Sequence, residues 1–360
     1  MSRDVAIPAT TPAAAGTPPT TRPRSPHGRR QARAGWVFTA PALLLVLLFV
    51  GLPVVMAVWV SVSGWRGRGS PFASGVPFVG LDNYRTLLAG GGLATQDLGT
   101  ALRNNSWYVV LVVPLQTVVA LLLAVAVNRR TLRGRGFFRT AFYFPSVTSS
   151  VAIVVVFLFL FSASGAVNQV IGVLGIDGPN WFADPRGVLH VLLGGLGGGE
   201  APGALAEHGF IGISWWEWLA GPSVAMSALI MLAVFTTSGT FMLLFLAGLQ
   251  NISAEVEEAA LVDGASSFQR LRYVTVPMLR PVLFTVLTLG LVGTWQVFDQ
   301  IYAGTQGGPA KTTITPAYLS YTSSFVDQRW GQGAAIAFIL FAIIVVLTLV
   351  QRAVLRGDRT

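Results

Sequence analysis

The sequence predicts an all-α membrane protein with six transmembrane helices, and three observations carry that prediction. Hydrophobic residues fill 53% of the 360 positions and charged residues only 11%, against roughly 25% charged in an ordinary soluble domain. The apolar residues gather into six runs, 36–62, 106–127, 140–161, 223–249, 281–298 and 333–350, none of which holds Asp, Glu, Lys, Arg or His. The basic residues sort by loop: with the amino terminus inside, 17 of the 24 Lys and Arg fall in inner segments, as the positive-inside rule requires.

Each run has about the 20 residues that cross roughly 30 Å of hydrocarbon at 1.5 Å per residue. The last two are the shortest, and their helices are expected to extend over 281–303 and 332–350. Residues 1–35 are rich in Pro, Thr, Ala and Arg, which predicts a disordered cytoplasmic tail. The first apolar run exceeds the roughly 7 to 15 apolar residues of a signal sequence, so it is expected to be a retained span. Pro53 and Pro114 fall inside the first two spans, where a missing N–H favours a kink. The loop 128–139 carries five Arg and is the strongest inner anchor. In the long outer segment 162–222, the stretch Gly187 to Gly199 is too short and Gly-rich to cross, and Trp181, Trp215, Trp216 and Trp218 suit a membrane-water boundary. Residues 36–355 form one transmembrane domain, with 250–280 an inner loop and 356–360 an inner tail.

The same residues exclude several functions. A net charge of +9 sorted by membrane side speaks for orientation and lipid headgroups and against a nucleic-acid partner. With no Cys, and only His27, His190 and His208 as imidazoles, no thiolate nucleophile or His-based metal cluster can be assembled, so no cofactor is expected in this chain. Lys311-Thr312 is the only possible end of a phosphate-binding G-x-x-x-x-G-K-S/T loop, but Thr305 and Ala310 stand where it needs glycine. The chain is therefore not expected to be an ATPase or any other enzyme.

The most informative segment is EAALVDGASSFQRLRYVTVPMLRP, Glu258 to Pro281, a charged stretch between two apolar runs. Ser253 suits an N-cap, and Glu255, Glu257 and Glu258 favour the positive end of the helix after it. Gly264 breaks that helix, and Ser266 with Gln269 has the spacing of a capping box. Phe268, Leu271, Val274 and Met278 then recur near helical spacing and predict one apolar face, while Pro277 and Pro281 end this surface helix and open the fifth span. A helix-turn-helix knob on the inner face results, and pattern alone also fits an ordinary amphipathic connector.

The spacing of Glu258-Ala259-Ala260, Gly264 and Val274-Thr275-Val276-Pro277 resembles the cytoplasmic EAA loop of ABC-importer permeases. Over about residues 36–355 the chain resembles a carbohydrate-uptake permease of the maltose, trehalose and glycerol-phosphate first-permease branch. Val79-Gly-Leu-Asp-Asn-Tyr84, Ala247-Gly-Leu-Gln-Asn-Ile252, Phe298-Asp-Gln-Ile-Tyr302 and Thr305-Gln-Gly-Gly-Pro309 add to the likeness. Val274 and Val276 depart from the usual Ile and Leu, and the insertion around 187–214 is longer than the branch implies. The resemblance implies a bacterial inner-membrane, multi-pass subunit with both termini cytoplasmic, forming half of a sugar passage. It implies as partners a second related permease, two copies of an ABC ATPase that bind the ATP and Mg, an extracytoplasmic substrate-binding protein and the lipid bilayer. Glu258, Ala259, Ala260, Asp263, Gly264, Phe268, Leu271 and Pro277 are the positions that would couple to the ATPase.

For the passage itself, Trp295, Gln296, Asp299 and Tyr302 are the candidates: Trp295 and Asp299, four apart, would share a helical face near the outer boundary. A secondary transporter is the alternative, but it would normally place ionisable residues near the midplane, and the apolar runs hold none. A membrane-embedded enzyme lacks a catalytic set in the spans, and a passive scaffold gives no reason for the spacing at Glu258. The orientation is tested by cysteine labelling in the naturally Cys-free chain: Arg133→Cys and Ala265→Cys should be shielded from an impermeant thiol reagent in intact cells, and Ser74→Cys should react. Outside labelling of Ala265→Cys would reverse the topology.

Overall fold

The computed structural model describes residues 26–129, 132–195 and 203–356. Contacts divide the chain into two compact units, Met1–Val55 and Met56–Thr360. The first helix runs as α1 (Pro26–Val46), a π turn (Leu47–Gly51) and α2 (Leu52–Ser61). It starts well before the predicted span, so 26–35 correct the expected disordered tail; residues 1–25 lie outside the described residues. The physical reason is local: Pro26 suits a first helical position, and Arg29 to Ala34 are good helix formers that continue the apolar helix backward. Pro53 cannot bond the carbonyl one turn back, and the π turn lies just before it, closed by the Leu52 N–H on the Leu47 carbonyl. From Trp36 to Val55 the apolar side chains are largely exposed, as suits a lipid-facing helix.

The second unit is organised by α3 (Leu93–Asn128) and α6 (Val224–Gln250), which share the most extensive helix contact. Along α3 the buried residues Leu98, Ala101, Asn105, Tyr108, Val112, Gln116, Ala120, Ala124 and Val127 fall three or four apart. They form one stripe, along which α6 packs in both core clusters. Its outer half joins a cluster with Met226, Leu229, Trp295, Ile301 and Ile336, and its inner half one with Met242, Phe245, Leu249 and Leu279. Pro114 lies inside α3, which continues unbroken past it. α3 also begins thirteen residues before the predicted span, because its first turns pack against the outer loops rather than lipid: a Cβ at Gly99 would run into the Ile211 carbonyl.

Among the described residues four helices are long and apolar enough to cross a membrane, and up to six spans result if each of two bent pairs is one span. The third predicted span is α4 (Arg135–Val147) and α5 (Ser150–Leu160), bent by 98°. Pro145 removes a helical donor just ahead of the bend, and Thr148 and Ser149 take extended ψ values of 149° and 128°. The fifth predicted span is preceded by a 74° bend at Leu279, between Pro277 and Pro281, before α9 (Arg280–Trp295). α4 is stapled to α6 by the Ser146 hydroxyl, which donates to the Thr236 carbonyl at 2.6 Å. The last helix, α12 (Trp330–Arg356), closes the unit against α9.

In the stretch from Gly187 to Gly199, Val188–Gly195 form a short helix and 196–199 lie outside the described residues; a two-stranded hairpin pairs Gly209–Phe210 with Ile213–Ser214. The outer indoles are held by protein as well: Trp181 donates to Asn168 at 2.8 Å, Trp218 to the Phe210 carbonyl at 3.3 Å, and Trp216 stacks on His190 at 4.5 Å. Lys311 pairs with Asp97 at 2.6 Å, and the Asn104 amide donates to the Lys311 and Ile314 carbonyls, both at 3.0 Å. These contacts pin the loop after residue 304 to the outer end of α3.

Close approach of α4 to α6 depends on Gly239, where a Cβ would meet the Phe142 carbonyl. Gly239→Val should cost about 1–3 kcal/mol of stability through overpacking. Gly172→Ala, at a site with nothing within 4 Å of the added carbon, should be neutral. Thermal melting of the purified protein compares the two.

Candidate functional site

The inner knob is built from local rules. α7 (Ala254–Val262) follows Ser253, which has the extended backbone of an N-cap but whose hydroxyl accepts no hydrogen bond there. Glu255 and Glu257 in the first turn supply the negative charge the helix start favours; Glu258 lies one residue further on and is exposed. α7 ends at Gly264 with φ of +77°, where the Ala265 N–H bonds the Ala260 carbonyl and the Gly264 N–H bonds the Leu261 carbonyl, each at 3.0 Å. That pair of bonds is a Schellman stop. Asp263 is the C-cap residue. The predicted capping box is present in α8 (Ser267–Arg270): the Ser266 N–H donates to Gln269 Oε1 at 2.8 Å, and the Gln269 N–H to Ser266 Oγ at 3.3 Å.

The predicted single apolar face after Phe268 is not formed. Residues Leu271–Thr275 make a π turn, closed by the Val276 N–H on the Leu271 carbonyl, directly before Pro277. The extra residue in that turn rotates the chain beyond it, so Leu271, Val274 and Pro277 are half-buried while Phe268 and Met278 are exposed. The outcome is an apolar tip: Val262 is 87% and Phe268 67% exposed, with Leu261 next to Val262 and Tyr273 five residues past Phe268 also exposed. The root of the knob is fixed, since Leu279 is buried among the inner-half core residues.

A second feature lies where α9 stops. Between Trp295 and α10 (Asp299–Gly304) the chain leaves helical geometry at Gln296–Phe298. The backbone freed there finds partners: the Asn105 amide donates to the Trp295 carbonyl at 3.3 Å, and the Thr315 hydroxyl to the Val297 carbonyl at 3.1 Å. Beside the break is a cavity of about 280 Å³, lined from α3 by Tyr108 and Gln116, from α6 by Thr237 and Phe241, and from the break by Gln296, Phe298, Asp299 and Gln300. A second cavity of about 280 Å³ shares Ser150, Thr237, Phe241 and Gln300 with it and adds Ser146 and Thr148 from the bend between α4 and α5, and Thr236 and Thr240 from α6. Hydroxyls, amides and aromatic rings supply the chemistry, and among the described residues Asp299 is the sole ionisable carboxylate or base on either wall.

The polar groups are already oriented. Thr237 Oγ1 lies 2.6 Å from Gln116 Oε1, and the Tyr108 hydroxyl donates to Gln300 Oε1 at 2.8 Å. Gln116 is buried, with its amide nitrogen unpaired and resting where a Cβ on Gly290 would stand. Of the four residues proposed from sequence for a passage, Gln296 and Asp299 line the cavity, whereas Tyr302 stands beyond it, 46% exposed. Trp295 does not: it is 6% exposed in the core, and the break after it removes the helical face it was expected to share with Asp299. Tyr108, Gln116, Thr237 and Gln300 were missed, although Gln116 is an amide inside an apolar run and could have been flagged by the cost of burying it.

Residues 116–358 match the family described as binding-protein-dependent transport system inner membrane component. The chain is 30% identical to the lactose transport system permease protein of Rhizobium radiobacter, over 88% of this chain and 92% of that one. It is 29% identical to the trehalose/maltose transport system permease protein of Thermococcus litoralis, over 92% and 96%. In structure it is similar to a chain of a bacterial ABC transporter involved in import of the acidic polysaccharide alginate, with a TM-score of 0.65 at 17% identity, covering 92% of this chain and 99% of that one. That last likeness speaks for the fold. The chain belongs to the inner-membrane permease family of binding-protein-dependent transport, and is thus a multi-pass, non-catalytic subunit of an ABC importer.

The two neighbours on either side of the break separate in their consequences. Trp295→Ala should cost about 3–5 kcal/mol, as expected for emptying a buried aromatic site. Asp299→Asn, at an exposed position, should leave the melting temperature unchanged and alter only solute handling. Equal melting temperatures in the two variants would contradict the assignment of Trp295 to the core.

Proposed function

We propose that this permease forms half of the passage for a sugar or sugar-like solute, with Gln296, Asp299 and the cavity beside them on its route. Among the described residues, the lining carries hydroxyls and amides for a polyhydroxy solute and rings for its apolar faces, which supports a sugar cargo. The names of the lactose and trehalose/maltose relatives support the same cargo class. A second related permease supplies the facing half, and an extracytoplasmic binding protein delivers the solute; a solved neighbour of this fold was captured with a sugar-loaded periplasmic protein. Both termini lie in the cytoplasm, on the side to which the charge bias assigns them.

The observation that carries the coupling role is the knob itself, a capped turn with Val262 and Phe268 exposed at its tip. Apolar side chains of this size in water mark a docking surface. Two ABC ATPase subunits, which hold the ATP and Mg, grip this knob and its counterpart on the partner permease. Glu258 and Asp263 present the polar side of the contact, Ala259 lies exposed beside Glu258, Ala260 and Leu271 back the contact, and Gly264 and Pro277 set the chain direction. Closure of the ATPases moves the knobs, and Leu279 passes that motion to the inner ends of α3 and α6.

Co-purification with the ATPase tests the coupling. Glu258→Lys should insert normally and lose most bound ATPase and most uptake. Gly264→Val is expected to act through backbone strain of about 1–3 kcal/mol at its positive φ and not through a clash, because nothing lies within 4 Å of the added carbon. Wild-type ATPase yield and uptake in both variants would remove the knob from the mechanism.

A further inference from the structure

A run of aromatic rings leads away from the cavity. Phe298, in the cavity wall, stacks on Tyr302 with centroids 5.4 Å apart and meets Tyr321 edge-on at 5.3 Å. Tyr302 and Tyr321 stand perpendicular at 5.5 Å. Tyr321 stacks on Phe325 at 5.3 Å, Phe325 meets Trp330 at 4.6 Å, and Trp330 meets Trp65 at 5.2 Å. The far end is fitted to its indole, since a Cβ on Gly67 would occupy the Trp330 Nε1 position.

Core packing alone does not account for this run. Tyr302 is 46% and Phe325 56% exposed, so ring faces remain open along it. Lipid contact does not account for it either: Asp327, Gln328 and Arg329, which come soon after Phe325, are all exposed, and two charges there place this end in water. Ring faces in water, close enough to pass a solute from one to the next, and phenol hydroxyls among them are the chemistry of a surface that stacks on the C–H face of a sugar ring while its hydroxyls stay hydrated.

We propose that Tyr302, Tyr321, Phe325, Trp330 and Trp65 form an outer sugar-binding track, a subsite that adjoins the cavity at Phe298 and extends away from it, on which the solute rests before entering. The track rests on the sugar cargo proposed for the cavity, and its test is arranged to separate the two. Membrane vesicles carrying the whole transporter with a single cysteine in this chain, Phe325→Cys or Val326→Cys, are reacted with a thiol reagent in the presence of lactose, maltose or trehalose, with betaine as a non-sugar osmolyte control. Labelling is followed on this chain, and ATP-driven accumulation of the same sugars is measured in parallel. Sugar should slow labelling of Phe325→Cys by about threefold at saturation, as a stacked ligand would. It should leave the neighbouring Val326→Cys unaffected, and a second change, Tyr302→Leu, should abolish the protection. Equal slowing at both positions, slowing by betaine, or no slowing overturns the track, whether or not sugar accumulates. Protection at Phe325→Cys in vesicles that accumulate none of the three sugars leaves the track in place and counts against the importer reading of the cargo.

Discussion

Backbone that leaves helical geometry inside a packed helix bundle has to find its hydrogen bonds within the protein, and the break at Gln296–Phe298 is where this chain meets that constraint. An unpaired carbonyl in hydrocarbon costs several kcal/mol. Here Asn105 and Thr315 reach in from α3 and from the loop before α11 (Pro316–Tyr321) to the carbonyls of Trp295 and Val297. Those two bonds tie three separate parts of the chain to one place. The loop in turn is held on α3 by Asn104 and by the Lys311–Asp97 pair. Without that bracket the Val297 carbonyl would lose its Thr315 partner.

The long pair of α3 and α6 gives the break something rigid to lean on. Their contact runs from the outer cluster to the inner one, so a displacement at one end has few ways to be absorbed between. Small residues bring neighbours close at chosen heights: Gly239 admits the α4 backbone, Gly248 admits Leu279 and Val282, and Gly290 admits the Gln116 amide. The inner knob is attached at the level of Leu279, which packs in the same inner cluster as Leu249 and Val286. The two bends, of 98° and 74°, lie next to the cavity and next to the knob respectively.

Much was legible in the sequence because it depends on one residue type at a time. Charge-free runs set the number of spans, since no burial pattern is needed to exclude Arg or Asp from hydrocarbon. Gly264 and the Ser266–Gln269 box were readable because caps are closed within a few residues, and both appear with the expected geometry. The apolar face after Phe268 was not, because a π turn adds a residue without any mark in the hydrophobic pattern except the proline just past it. Helical counting also failed at Trp295 and Asp299, where four residues of spacing cross a break instead of a turn.

Composition and short-range spacing were thus enough for the class of protein, the sidedness bias, the position of the knob and the family resemblance. Which polar residues meet was settled only by packing. Gln116 and Thr237 are 121 positions apart and Tyr108 and Gln300 192 apart, and they touch because α3, α6 and the break are packed together. The core position of Trp295 and the open aromatic run from Phe298 to Trp65 have the same origin. No local rule places an amide of one helix opposite a hydroxyl of another; that depends on the rotation and height of each helix, which the small residues and the outer loop contacts set jointly.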